Sequence, residues 1–440
     1  MVERIGVDMK HLVSMRRVTA AAVLSVASVA ASVVVPSASL PVSAAPCTMC
    51  AGGEYHPLTP LRIFDSRHNA TNPDGINDVA PLGVKPTSVA RPTFDVQLLG
   101  THPDISASST DVLALVVSIT VVMPTQPGYL TAYPTGQVPA TPSSIINFVG
   151  ADVTPNLAIV RPGTDGKLTI GLHSGVPGSA HVLVDVFGWV STSTFTGVDP
   201  EDPLDERGAR LISVSPSRIL DTRPSKGGIG PLTAGEDREL TIRGATSIFD
   251  PSGPVIVPDN ENVVGVMVNV VGIAPTEGTF VSVVPDAPLE DPTTSNLNLA
   301  PGVVKANLVV VPVGADGKIH LFNKVGDTNV AVDVMGYFEK VPDDTRKGRI
   351  IPLTAPFRAF DTRKPEFGAV RLGPGQAEAW SFANFAASVT VGGVSVGTQD
   401  ALLGNLTSAG LTRLYPTVPV SGYLTVYPAD QNTPNASNLN

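Results

Sequence analysis

One short word written three times constrains this chain more than any other feature. Arg62-Ile63-Phe64-Asp65-Ser66-Arg67, Arg218-Ile219-Leu220-Asp221-Thr222-Arg223 and Arg358-Ala359-Phe360-Asp361-Thr362-Arg363 each stand two residues after a proline (Pro60, Pro216, Pro356). Their aspartates lie 156 and 140 residues apart. Self-similarity at a fixed period means repeated units, each of which must bury its own apolar surface. The downstream order also recurs. A valine-rich run (Val112–Met123, Val263–Ile273, weaker near Leu402–Leu406) precedes a Gly-to-Pro segment (Gly128–Pro134, Gly278–Pro285, Gly422–Pro428). A Ser-x-x-Asn element follows, ending at Asn147, Asn298 and Asn440. The first two copies continue through Asn156 or Asn307 and Asp165-Gly166 or Asp316-Gly317, and end on Val184-Asp185-Val186 or Val332-Asp333-Val334.

These recurrences divide the chain into 57–192, 211–340 and 350–440, joined by linkers at 193–210 and 341–349. The third copy stops at its Ser-x-x-Asn element and reads as truncated. Completion by a strand from a partner is the alternative. Segments of four to ten residues, rich in Val, Ile, Leu and Thr and bounded by Gly, Pro, Asn and Asp, are strand candidates. Repeat 1 offers eight, near 61–64, 93–99, 112–122, 128–133, 144–149, 157–161, 168–172 and 181–190. Asp-Gly supplies the positive φ angles of a tight turn, so Asp165-Gly166 and Asp316-Gly317 predict hairpins. No helical apolar period appears outside the N-terminus. The expected fold is all-β, as tandem antiparallel β-sandwich, jelly-roll-like repeats of about 130 residues.

The N-terminus reads as an address. Arg4, Lys10, Arg16 and Arg17 precede an uncharged run, Val18–Val35, and then the small residues Ser43-Ala44-Ala45. That order is a secretory signal peptide over 1–44, and an uncleaved anchor is the alternative. A leader, 45–56, carries Cys47 and Cys50. With no second Cys pair and no thioredoxin-like context, a local disulfide or tether is the expectation. The repeats contain no cysteine, so their stability rests on their cores. A net charge of −10 opposes a nucleic-acid partner, and after signal cleavage no membrane association is expected.

Taken as an ordered set, these motifs resemble a repeat family of secreted actinobacterial proteins, with P-x-R-[LI]-[LF]-D-T-R near the start and D-V-x-G-[YF] at the end. The resemblance spans about 57–440. Ser66, Trp189 and Thr279-Phe280 depart from it. It implies an extracellular or cell-surface location and modularity, and carries no assigned activity.

Two groups of residues are candidates for a site. In the Asp-Ser/Thr-Arg motif, Arg62, Asp65, Arg67, Arg218, Asp221, Arg223, Arg358, Asp361 and Arg363 form either a carboxylate- or sugar-binding fork or a structural ion pair; the structural reading is preferred. Strict alternation would place Asp221 and Arg223 on one face and Arg218 on the other. Asp185 and Asp333, inside apolar strands, call for a partner such as one of these arginines. Asn147, Asn156, Asn298 and Asn307 are read as ties to loop backbone. The second group is aromatic. Tyr129 with Tyr133, and Tyr423 with Tyr427, share a strand face and could stack a sugar or fill a core; Phe280 and Val284 replace the first pair in repeat 2. His173 and His181 flank an expected hairpin and are too few for a metal site. Gly393-Val394-Ser395-Val396-Gly397 imitates a nucleophile elbow but has no histidine after it.

No cofactor, metal or catalytic set is called for. The expected role is a secreted, modular cell-surface protein engaged in binding or adhesion, toward cell-wall or extracellular polysaccharide or surface proteins. A purely structural spacer or surface-layer component is the alternative. The accessory region of an extracellular hydrolase comes third.

Overall fold

A computed structural model describes residues 52–67, 82–83, 93–139, 143–175, 177–193, 195, 208–287, 292, 294–342, 347–353, 358–365, 372–380, 390–391, 394–395, 401–408 and short stretches between 424 and 438. The signal segment, Cys47 and Cys50 lie outside the described residues, as do Tyr423 and Tyr427.

Repeat 1 comprises β1 (Tyr55–Asp65), β2 (Leu82–Gly83), β3 (Thr93–Gln97), β4 (Val112–Val122), β5 (Gly128–Pro134), β6 (Ile146–Phe148), β7 (Val153–Val160), β8 (Lys167–Ser174) and β9 (Ser179–Ser191). Repeat 2 comprises β10 (Arg210–Asp221), β11 (Asp237–Thr241), β12 (Val263–Ile273), β13 (Thr279–Val284), β14 (Leu297–Leu299), β15 (Val304–Pro312), β16 (Lys318–Asn323) and β17 (Asn329–Glu339). A two-residue hairpin, β18 (Thr390–Val391) with β19 (Val394–Ser395), lies in the third region.

The sheet orders are β1-β9-β4-β7, with β2 added to β9, and β3-β8-β5-β6 in repeat 1. Repeat 2 has β10-β17-β12-β15 and β11-β16-β13-β14. All pairings are antiparallel. The two copies therefore share one jelly-roll order, in which the last strand of each repeat sits at the centre of the first sheet.

Alternation fills each sandwich. Leu115, Val117, Ile119 and Val121 of β4 meet Leu130 and Ala132 of β5, Leu168 and Ile170 of β8, and Val182, Val184 and Val186 of β9. Val266, Val268, Val270, Val281, Val283, Ile319 and Leu321 do the same in repeat 2. β4 is buried at all eleven positions, so both of its faces are covered. That is the physical reason for its near-continuous apolar run, interrupted only by the buried Ser118 and Thr120. The second cover is the other repeat. Tyr55, Leu113, Ala114, Val116, Phe187 and Val190 form one cluster with Ala209, Met267, Val310 and Phe338. The larger of these side chains each contribute about 1.5–3 kcal/mol by leaving water. Tyr55 packs its ring 4.4 Å from Phe338 and donates its hydroxyl to the Phe187 carbonyl at 2.6 Å.

Three sequence expectations need correction. The Asp-Gly turns are not hairpins, because each joins strands of different sheets: β7 to β8, and β15 to β16. Asp165 (φ 56) and Gly166 (φ 71) do adopt positive φ. Their chemistry reports a tight turn but says nothing about whether the flanking strands pair. For the same reason His173, on β8, and His181, on β9, stand in separate sheets. Finally, residues 401–408 carry no strand.

Candidate functional site

In repeats 1 and 2 the repeated aspartates and arginines assemble into a ladder whose carboxylates are buried, and the third copy keeps its first rungs with exposed arginines. In repeat 1, Arg62 Nε donates to Asp185 Oδ1 at 2.8 Å and Nη2 to Oδ2 at 3.3 Å, while Arg62 Nη1 stands 3.6 Å from Asp65 Oδ2. Arg67 Nη2 donates to Asp65 Oδ2 at 2.7 Å and its backbone N–H to Oδ1 at 2.9 Å. Repeat 2 repeats the order. Arg218 bridges Asp333 (2.8 and 3.0 Å) and Asp221 (3.1 Å), and Arg223 grips Asp221 at 2.9 and 2.6 Å. In the third copy Arg363 holds Asp361 at 2.8 and 2.6 Å, with Arg358 at 3.5 Å. Asp185 and Asp333 are wholly buried.

Arg218 and Asp221 thus meet, against the alternation expected from sequence. A bulge between Arg218 and Leu220 breaks the two-residue period and turns both side chains to one side. Repeat 1 has the same irregularity between Arg62 and Phe64. Burial pushes the Asp65 carboxyl up, but the Arg67 hydrogen bonds and the charges of Arg67 and Arg62 outweigh it, and the net displacement is downward. Asp221 behaves alike through Arg223 and Arg218. At Asp185 burial prevails over Arg62 and the carboxyl moves up. With every carboxylate of the ladder bonded to a guanidinium, the arrangement ties the first strand to the last.

Ser66 has the look of a nucleophile beside His181, with Oγ 3.1 Å from Nδ1. It is fully buried, and its Oγ accepts the Val182 N–H at 2.8 Å. Thr222 makes the same bond to Val330 and meets Asn329 in place of the histidine. A position that works equally with Thr and Asn is a strand clasp. Ser395 lies in β19. The asparagines bond locally: Asn147 to Ser144 Oγ, Asn298 to Ser295 Oγ, Asn156 to the Ile145 carbonyl and Asn307 to the Asn296 carbonyl. Among the described residues no group of three potential metal ligands occurs.

Tyr129 and Tyr133 take the face of β5 opposite to Leu130 and Ala132, away from the core, and both are half-buried. Tyr129 stacks on His173 of β8, with centroids 4.5 Å apart and planes 6° from parallel. His173 Nε2 lies 3.2 Å from Thr131 Oγ1, and burial holds the imidazole below its ordinary range. Beside Tyr133, Asp95 Oδ1 accepts from Thr169 Oγ1 at 2.7 Å, and Thr169 meets Thr135 at 2.9 Å. Burial, then the Asp95 charge, moves the Tyr133 hydroxyl up. Sequence reasoning missed His173, Thr131, Thr169 and Asp95 as neighbours of the tyrosines. The signal was there in β8, where Thr169 and His173 alternate with Leu168, Ile170 and Leu172. In repeat 2 the corresponding face carries Phe280, Ser282 and Val284, with Phe322 6.4 Å from Phe280.

A second group escaped the sequence altogether. Glu54, ahead of β1, accepts from Arg210 Nε at 3.1 Å and from Arg349 Nε and Nη2 at 3.3 and 3.2 Å. The backbone there is paired as well: Tyr55 with Ala209 (2.7 Å in both directions), Gly53 with Ile350 (2.9 Å in both directions), and Leu211 N–H to the Gly348 carbonyl at 2.9 Å. The lead-ins of all three copies converge on one carboxylate. The glycines Gly53, Gly208 and Gly348 were the available signal. A Cβ on Gly53 would fall 1.7 Å from the Ser191 carbonyl oxygen.

No family model matches the chain, and no curated protein does. Solved structures with partial likeness include the CBM22-1–CBM22-2 tandem domain of Paenibacillus barcinonensis Xyn10C, at 10% identity and TM-score 0.16, covering 52% of this chain and 79% of that one. The M60 catalytic domain with CBM51-1 and CBM51-2 of Clostridium perfringens ZmpB is 9% identical at TM-score 0.16, covering 66% of this chain and 39% of that one. The STIV MCP is 8% identical at TM-score 0.15, covering 65% and 97%. Likenesses this slight assign neither ligand nor activity; the fold is read from the sheets themselves.

Proposed function

We propose that this chain is a secreted, non-enzymatic binding protein of the cell surface whose first repeat contacts extracellular glycans. The observation that carries the reading is the solvent-side face of β3-β8-β5-β6. There, two tyrosines, a histidine stacked on one of them, and a chain of hydroxyls ending on Asp95 share one surface. Aromatic bodies with polar tips suit ligands that are themselves apolar on one side and hydroxylated on the other. The stacked His173 fixes the Tyr129 ring, which lowers the ordering cost of binding. The basic, apolar and small-residue order of the N-terminus supports export. Binding of the purified chain to a glycan array, abolished in Tyr129→Ala, tests the reading. An array on which wild type and variant are indistinguishable removes it, and turnover of a cell-wall polymer by the pure protein replaces it.

The second reading, a structural scaffold, draws on the junction at Glu54, which makes the lead-ins of three copies rigid with respect to one another. A scaffold without ligand shows no glycan on the array and keeps the junction.

A further inference from the structure

The face of repeat 1 that the preceding reading assigns to glycans has a profile that further restricts its ligand. Register divides it into three rows. Tyr129 stands opposite His173, Thr131 opposite Gly171, and Tyr133 opposite Thr169. On the far side of β8, Thr93 pairs with Gly171 and Asp95 with Thr169. The middle row is therefore Thr131, Gly171 and Thr93, all small, between two rows that each carry a tyrosine. Four residues of strand separate the tyrosines, about 13 Å at about 3.3 Å per residue. One sugar ring cannot reach both. In repeat 2 the residue in the place of Gly171 is Phe322, opposite Ser282, and it is 6% exposed. The middle row there carries a phenyl ring beside Phe280, whereas in repeat 1 it is low, with Thr131 and Gly171 buried between the half-buried tyrosines, so the saddle belongs to repeat 1 alone of the two.

Charge narrows the class. Asp95 is exposed on this face, and the chain as a whole carries −10. Both repel a polyanion. Thr131 and Thr169 are buried and already bonded, to His173 and Asp95, so the uncharged donors and acceptors that reach the surface are those of exposed Thr93 and half-buried Thr135.

We infer that the face takes an uncharged polysaccharide as an extended segment of several linked sugars, lying along β5, spanning the low row of Thr131 and Gly171 and engaging Tyr129 and Tyr133 together. The inference rests on the glycan reading and adds chain length and charge to it.

Titration calorimetry of the full chain with cellobiose, cellohexaose, chitobiose, chitohexaose and polygalacturonate tests it. In at least one neutral series the hexasaccharide binds roughly tenfold or more tightly than its disaccharide. Tyr129→Ala and Tyr133→Ala each erase that gain. Gly171→Phe, which installs the residue of repeat 2, erases it too. Because a Cβ at Gly171 would lie 2.9 Å from Thr131 Oγ1, the melting curve of each variant is recorded alongside. The tyrosine variants, at half-exposed positions, carry the test if Gly171→Phe melts early. Equal affinity for disaccharide and hexasaccharide overturns the inference and leaves the glycan reading standing. Preference for polygalacturonate overturns it through the charge. No binding by any neutral hexasaccharide overturns both.

Discussion

Arg210 Nε donates to Glu54 Oε1 at 3.1 Å, joining the first residue of β10 to the residue before β1 across 156 positions of chain. Arg210 is 2% exposed, and the same oxygen also receives Arg349. Replacing Glu54 by Ala withdraws the carboxylate from two guanidinium groups at once. Removing one partner of a buried pair costs about 3–5 kcal/mol. Calorimetry of Glu54→Ala is expected to show the whole chain melting many degrees lower, with Glu54→Gln in between. A midpoint unchanged to within about one degree would show that the junction holds without its charge.

The cluster of Tyr55, Phe187, Met267 and Phe338 packs the two sandwiches against each other. Reading the linker by composition alone, one expects a cut there to release two independent fragments. The buried contact predicts otherwise. A protease site engineered between 196 and 207 is expected to nick the chain while the halves co-elute on gel filtration, parting only in denaturant. Separation in plain buffer would mean that the cluster contributes little.

Asp221 holds two arginines, and Asp65 does so in repeat 1. Asp221→Ala is expected to destabilise by about 3 kcal/mol or more. Because the repeats share a cluster, the loss appears in the common transition and not in repeat 2 alone. The direction with pH follows from the lowered carboxyls of Asp65 and Asp221. The unfolded chain binds their protons more readily, so this stability is present above the ordinary carboxylate range, near 4, and is lost as pH falls below it. A wild-type chain whose melting temperature does not fall below pH 4 contradicts the assignment.

His56 titrates against folding in a different window. Its ring stacks on Trp189 at 4.0 Å, its Nε2 is buried without a hydrogen-bond partner, and burial, aided by Lys340, lowers its pKa to about 4. The unfolded imidazole, near 6.5, takes up a proton that the folded one refuses. Stability is therefore full above about pH 6.5 and declines as pH falls toward 4, by on the order of 2–3 kcal/mol. His56→Phe keeps the stack and is expected to flatten the curve between pH 4 and 6.5. An unaltered slope in that variant would move the cause elsewhere.

What the sequence conveyed, and what it withheld, follows from how local each cause is. The runs at Val112–Val122 and Val263–Ile273 announced strands because burial on both faces leaves few polar positions, Ser118 and Thr120 in the first and Asn269 in the second. The spacing of Tyr129 and Tyr133 announced a shared face because β5 is regular. The union of Arg218 with Asp221 was hidden by a bulge, which no composition rule reports. The passage of Asp165-Gly166 between sheets was hidden because a turn encodes an angle, not a partner. Glu54 was the least visible. It is one acid outside any motif, and its meaning lies in Arg210 and Arg349, far away in the sequence.

The alternation of acid and base in each ladder bears on how the fold responds to dissolved salt. Two carboxylates and two guanidinium groups cancel within repeat 1, as they do within repeat 2, with Asp185 and Asp333 wholly out of contact with solvent. Dissolved ions screen charges that they can surround; Arg67 and Arg223, 38% and 32% exposed, are within their reach, whereas the Arg62–Asp185 and Arg218–Asp333 pairs are nearly enclosed. The clasp between first and last strand, made by those enclosed pairs, thus keeps its strength from dilute water to brine, so the pairing of β1 with β9 and of β10 with β17 does not follow the ionic strength around the protein.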